Sequence, residues 1–324
     1  MTAGGDVAAC ALGCTDQNEE WHMSIKTILV ALALEDGCER VADRAVQLAS
    51  GHGARLMGLH VIEADAPAYA DLPAAVDADA LARAVEQQAA AQLQALLGHA
   101  ATPDQLHIKA GKAHDVIREQ AEAYGADLVV IGPGAARNLR EKVFGSTADR
   151  VVRCVERPVL VVRSAPADTY RRVVVGVDFS GPAEAAAAWA GRLAPSAVRE
   201  LVHSTQIPLQ FEQAMLQAGT SQAEIERYRM ARFEAAREKI VVAYGENGRL
   251  PKRTTARVVH GDPASTLCKA SRRRAVGLVA VGTQGLNVVA RHLLGSVARK
   301  VLSGAACDVL VVPATAADAT GGAS

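Results

Sequence analysis

GLVAVGTQGLNVVARHLLGSVARKVLSGAACDVLVVP, residues Gly277 to Pro313, is the stretch that decides the fold. The apolar run Leu278 to Val281 ends in Gly282, Gly285 follows three residues later, and Gly295-Ser296 comes after nine more. A helical pattern then leads to a second apolar run, Val309 to Val312. A buried strand that ends in glycines and feeds a helix N-terminus is how α/β proteins hold phosphate.

The stretch has a partner earlier in the chain. Asp127 to Val162 reads DLVVIGPGAARNLREKVFGSTADRVVRCVERPVLVV, and Gly111, Gly132 and Gly145 precede Gly261, Gly282 and Gly295 by the same offset of 150. The final helices repeat too: Ala148, Val151, Val152 and Val155 match the spacing of Ala298, Val301, Leu302 and Ala305. A period of this length implies duplicated domains and excludes a solenoid. The length of 324 residues suits about two domains. Half the residues are hydrophobic but only 3% are aromatic, so the cores must be Val, Leu, Ile and Ala, which favours buried parallel strands.

Read in order, each half gives five strands alternating with helices. The first has strands at 26–34, 55–62, 106–110, 127–131 and 158–162, with helices after Val41, over 77–97, around Ile117 to Tyr124 and from Ser146. The second has strands at 172–178, 200–204, 253–260, 278–281 and 309–312, helices over 182–193 and 263–274, and a helix from Ser221. Ser221 and Glu224 have capping-box spacing, and Ile225, Phe233, Ala236, Ile240 and Ala243 are expected on one helical face. Right-handed crossovers turn each βαβαβαβαβ order into a doubly wound parallel sheet. The expected division is a disordered extension 1–23, a domain 24–163, a linker 164–171, a second domain 172–313 and a disordered tail 314–324.

A formal net charge of zero argues against a nucleic-acid or membrane-surface binder held by bulk charge, and no apolar run is long enough to span a bilayer. Cys10, Cys14, Cys38, Cys154, Cys268 and Cys307 show no zinc-ligand spacing and read as isolated thiols of a reducing compartment. The first 22 residues lack a secretion-signal pattern, and Met23 is a candidate start. The expected location is the cytoplasm.

On these motifs both halves resemble the universal stress protein family, whose nucleotide-binding members carry Gly-2x-Gly-9x-Gly-(Ser/Thr) after the fourth strand. The second half has Gly282, Gly285, Gly295, Ser296 and Val297 in that pattern; the first has Gly132, Ala135, Gly145, Ser146 and Thr147, with one glycine lost. The resemblance implies an adenine-nucleotide alpha-hydrolase-like α/β fold in two tandem domains. It also implies ATP, with Mg or Mn, as ligand of the second. Asp178 stands where relatives contact the adenosine, and its counterpart in the first half is Ala33. Ser204 falls where a relative's backbone meets adenine, and Thr283 lies within the loop.

Each feature has a plainer reading. The glycines punctuate a strand end, Ser296 is an ordinary N-cap, and Asp178 starts a turn. If the position of Gly285 needs a left-handed backbone, alanine there costs about 1–2 kcal/mol. Losing a charged hydrogen-bonding group costs about 1.5–3 kcal/mol more, which makes the first half a degenerate copy. Arg272, Arg273 and Arg274 read as a solvated helix end, Arg291 and His292 as solvent-facing, and His60 with His203 as matched structural positions. The expected function is a tandem, stress-responsive ATP binder; a nucleotide-independent scaffold is the alternative, and at most weak ATP hydrolysis is expected without a positioned base. The strands Val159–Val162 and Val309–Val312 are expected to join the halves as an intramolecular pseudo-dimer, with pairing of whole chains as a further step.

Overall fold

The computed structural model describes residues 24–63, 77–134, 144–166, 168–285 and 293–318. The first half runs β1 Thr27–Ala31, α1 Cys38–His52, β2 Arg55–Ile62, α2 Ala78–Leu97, β3 Leu106–Ala110, α3 Ala113–Ala123, β4 Leu128–Ile131, α4 Ser146–Cys154 and β5 Val159–Val161. The second runs β6 Arg172–Gly176, α5 Gly181–Leu193, β7 Val198–Thr205, α6 Leu209–Gln217, α7 Gln222–Tyr244, β8 Thr254–His260, α8 Pro263–Ser271, β9 Val276–Gly282, α9 Ser296–Gly304 and β10 Asp308–Val312. Strand order is β3-β2-β1-β4-β5-β10-β9-β6-β7-β8, a single ten-stranded sheet. Every neighbouring pair is parallel except β5 with β10, which run antiparallel with Leu160 opposite Leu310. The two expected sheets therefore merge into one.

Alternation along the strands explains the layers. Ile28, Val30, Val173 and Val175 point to one face, under α1, α2, α5 and α7; Leu29, Val129, Val174 and Val279 point to the other, under α3, α4, α8 and α9. Successive side chains in a strand face opposite ways, so a strand covered on both sides must be apolar throughout. Each core layer contains residues of both halves, so apolar packing is continuous across the seam.

Local signals behave as their chemistry requires. Ser221 and Glu224 form the reciprocal capping box, and Asp77 caps α2 through the N–H groups of Asp79 and Ala80. Gly53, at φ 63°, ends α1 in the left-handed conformation that glycine adopts without a Cβ clash. Three expectations are corrected. The irregular stretch before Ser221 contains α6. On α7, Ile225 and Ile240 are buried and Phe233 and Ala236 half-buried, but Ala243 is exposed. The tail does not fray at once: Thr315–Asp318 forms a helical turn with Ala316 buried, and 319–324 lie outside the described residues, as do 1–23.

Asp308 holds the seam. It opens β10 with 0% exposure, and its Oδ1 accepts the backbone N–H groups of Arg163 at 2.8 Å and Ser164 at 3.1 Å. Its Oδ2 accepts the Tyr170 hydroxyl at 2.7 Å and lies 3.2 Å from Nε of Arg44 on α1. The Arg44 guanidinium stacks 4.3 Å above the Tyr170 ring and donates from Nη1 to the Asp168 carbonyl. Burial, and then the Asp308 charge, push the Tyr170 hydroxyl well above its ordinary pKa, which keeps it a donor. Ser164, Asp168 and Tyr170 of the connecting segment are thus tied to both halves.

The arginine run also departs from expectation. Arg273 Nη2 donates to Glu200 Oε2 at 2.8 Å, and Arg257 Nη1 reaches Oε1 at 3.3 Å, so Arg273 anchors the buried β7 carboxylate. Burial works to raise the Glu200 pKa, but hydrogen bonds and charge from Arg273 and Arg257 lower it overall.

Two outcomes follow from these carboxylates. Asp308→Ala should cost about 3–5 kcal/mol in urea unfolding, because Arg44 stays buried and unpaired, and adding Arg44→Met should recover part of the loss. Strictly additive losses would contradict the pairing. Glu200 has a depressed folded pKa, so its stabilisation is complete above the ordinary glutamate value of about 4.3 and disappears as pH falls through the folded value. The stability gap between wild type and Glu200→Gln should therefore be present at neutral pH and shrink in acid.

Candidate functional site

The carboxyl edge of the second half brings two strand exits together. β6 and β9 are parallel neighbours with Val175 opposite Ala280, so the segments leaving them, Asp178 and the loop after Gly282, share one end of the sheet. This is the switch point at which doubly wound sheets present ligand crevices. The chain leaves β6 under strain: Phe179 has φ 66°, and its counterpart Leu34 in the first half has φ 56°. Left-handed non-glycine residues of this kind cost roughly 1–3 kcal/mol and collect at functional turns.

Asp178 uses its two oxygens differently. Oδ1 accepts the backbone N–H of Ser180 at 3.1 Å and its hydroxyl at 2.5 Å, which builds the turn into α5. Oδ2 faces the glycine loop, where a β-carbon placed on Gly285 would stand 2.6 Å from it. Gly285 does not adopt a positive φ, which corrects the expected reason for glycine there. A side chain at that position would have to displace the Asp178 carboxylate from the place its Ser180 hydrogen bonds give it.

The other loop residues divide between frame and opening. A β-carbon on Gly282 would stand 2.6 Å from that of Pro182, so Gly282 allows the start of α5 to pack on the strand end. Thr283 spends both backbone groups on the frame: its N–H donates to Val312 and its carbonyl accepts from Gly295 at 2.7 Å. Gly295, not Ser296, is the N-cap of α9, and no side chain caps that helix. Among the described residues nothing accepts from the first N–H groups of α9, beginning with Ser296 and Val297, and N–H groups so placed attract an anion or water. Ser296 is exposed, while Val297 leans on the core. On β7 the Ser204 hydroxyl donates to the Gly261 carbonyl, so its side chain is committed to the fold.

The first half keeps the frame and loses the chemistry. Gly145 N–H donates to the Pro133 carbonyl at 2.9 Å, matching the Gly295–Thr283 closure. Ala33 replaces Asp178, so the group that crowds the Gly285 position is missing; Ala135, the matching loop position, lies outside the described residues, as do Arg291 and His292. His60 Nδ1 meets the Leu32 carbonyl and His203 Nδ1 the Val177 carbonyl, both at 2.8 Å, which fits the structural role expected of the pair.

An aromatic wall beside Asp178 was not visible in the sequence. The Phe179 ring lies 4.8 Å from His203 and 6.4 Å from Tyr244, with Lys239 Nζ 4.3 Å from its centroid. Burial, then Glu184 and Asp178, push the Tyr244 hydroxyl above its ordinary pKa. Only the Asp-x-Ser pattern of Asp178 and Ser180, typical of a side-chain-closed turn, offered a local signal for this corner. Among the described residues no group of three or more His, Cys, Asp or Glu is placed to hold a metal, and no helix is long and apolar enough to cross a membrane.

Two doubly wound α/β units, with a carboxylate-and-glycine site at one switch point, define the class. The chain belongs to the universal stress protein family, whose model matches residues 24–163 and 169–313. Universal stress protein A homolog 1 of Coxiella burnetii is 31% identical over 144 residues, covering 43% of this chain and 97% of that protein. Universal stress protein G of Salmonella typhimurium is 38% identical over 84 residues, covering 24% of this chain and 57% of that protein. The crystal structure of a universal stress protein from Archaeoglobus fulgidus aligns over 89% of this chain and 98% of its own at 16% identity, with a TM-score of 0.59. That likeness shows the shared fold.

The steric reading of Gly285 is testable by a double-mutant cycle. Gly285→Ala should destabilise by about 1–3 kcal/mol through overpacking. In the Asp178→Ala background most of that cost should vanish, as measured by urea unfolding. An undiminished cost would mean that the backbone, not the carboxylate, demands glycine.

Proposed function

We propose that the second half binds ATP between Asp178 and the loop Gly282–Gly295, and that the chain acts as a stress-response regulator through that occupancy. The observation that carries this reading is the Asp178 Oδ2 set against Gly285 on the same sheet edge as the uncapped start of α9. Asp178 would accept from the adenosine hydroxyls, and Ser204 would offer backbone at the base. Gly285 and Gly295 leave room for phosphate beside the loop backbone, and Ser296 and Val297 would present N–H groups to it. A divalent cation, Mg or Mn, would then ride on the phosphates, since the described residues supply no carboxylate cluster for it. Hydrolysis is at most slow on this reading, because Asp178, the carboxylate described beside the loop, is given to the adenosine and to Ser180 and not to a water. The first half has no counterpart of the carboxylate and serves as structural partner. The proposed setting is the cytoplasm, with pairing of whole chains as a further step.

A second reading, a nucleotide-independent scaffold, is favoured by the apolar surface of α6 and α7: Leu209 is 69% exposed, and Phe211 and Met230 are 50% exposed. Isothermal titration separates the two. ATP should give about one site per chain, abolished by Gly285→Glu or Gly295→Glu in variants that remain folded. Absence of binding to folded wild type sinks the ATP reading and leaves the scaffold.

A further inference from the structure

A cleft of about 80 Å³ opens at the seam, where both ends of the loop between Gly282 and Gly295 meet the first half. Val152, Val155 and Glu156 of the first half face Thr283, Leu293 and Pro313 of the second. The seam is a local twofold: β5 and β10 cross at Leu160 and Leu310, so a position in the first half corresponds to the one 150 later. On the opposite side of that twofold the corresponding place is taken by an arginine. Arg163, the counterpart of Pro313, donates from Nη2 to the carbonyl of Leu302, the counterpart of Val152.

The reason for an arginine there is general. The last four carbonyls of a helix have no partner inside it, and they gather partial negative charge. Leu302 lies in the last turn of α9, which ends at Gly304, and Arg163 satisfies its carbonyl. Val152 lies in the last turn of α4, which ends at Cys154, and the residue opposite is a proline with nothing to donate.

We propose that this cleft is a guanidinium site, which takes an arginine side chain or a small alkylguanidinium cation from outside the seam. The guanidinium fork would donate to the last-turn carbonyls of α4, including that of Val152, as Arg163 does to Leu302. Glu156 is exposed at the rim, has no ion pair with another described residue, and supplies the countercharge. Arg153 also lines the cleft, but its charge is matched by Asp149, whose oxygens lie 2.7 and 3.2 Å from Nε and Nη2. Val155 and Leu293 form walls for the aliphatic stem, the way long cationic side chains bury their methylenes; Leu293 is 51% exposed without such cover. This proposal borders the ATP reading, because Thr283 and Leu293 of the same loop line the cleft, but neither Asp178 nor Gly285 takes part in it.

The test uses the full chain with labelled methyl groups, titrated by NMR with methylguanidinium chloride and, separately, with N-acetyl-Gly-Arg-Gly-amide. The methyls of Val155, Leu293 and Leu294 should shift and saturate. Pro313→Arg, which restores the arginine found at 163, should fill the cleft and remove the response. Glu156→Lys, a change on an exposed side chain, should weaken binding about tenfold. A tripeptide at least tenfold tighter than methylguanidinium supports an arginine carried by a polypeptide, and saturation by methylguanidinium alone supports a free cation. Shifts that never saturate with either probe, or that persist unchanged in Glu156→Lys, overturn the site.

Discussion

A buried carboxylate governs how this chain is put together. Asp308 lies at the centre of the sheet, where an unpaired charge would cost several kcal/mol. It is tolerated because donors arrive from three places distant in sequence: the exit of β5, the connecting segment at Tyr170, and Arg44 on α1. None of these donors lies within its own strand, so the charge is satisfied only when both halves and the link between them are in place. Apolar packing makes the seam strong. Asp308 makes it specific, since a slip of β5 against β10 would strand the charge.

With the halves fixed in this way, the two switch points are compared within one molecule. Both retain the strained strand exit, at Leu34 and Phe179, and both retain the hydrogen bond that closes the loop onto α4 or α9. The difference is confined to what faces the loop. In the second half a carboxylate presses on a glycine; in the first an alanine stands in place of the acid. Frame and chemistry are thus separable: the strand exit and the loop closure recur in both halves, whether or not a carboxylate stands beside them.

Most of the architecture was legible because it rests on local periodicity and on repetition. Alternating and continuous apolar runs placed all ten strands, the matched glycines revealed the two copies, and Ser221 with Glu224 announced α7. The paired histidines were correctly seen as structural, since the same hydrogen bond recurs in each half. What escaped notice depended on long-range partners. Arg44 and Asp308 look like surface residues until helix and strand are brought together. α6 was hidden because its outward side carries Leu209, Phe211 and Leu216 while Glu212 turns inward to Arg229, which reverses the usual pattern. At the site, the residue types were legible but their reasons were not. Gly285 is set by its neighbour's carboxylate rather than by its own dihedral, and the N-cap duty assigned to Ser296 belongs to Gly295.

The antiparallel crossing at Leu160 and Leu310 has a genetic consequence. In a dimer of identical chains, any change at such an axis happens twice, so an acid introduced beside it must meet its own image. Here the position matching Asp308 is Pro158, and the one matching Arg163 is Pro313. The side with the acid has the backbone N–H groups of Arg163 and Ser164 to give it; the other side has no acid, and Pro313 has no N–H. Covalent fusion lets each side of the axis accept substitutions the other does not share. A lopsided lock of this kind is closed to a pair of identical chains.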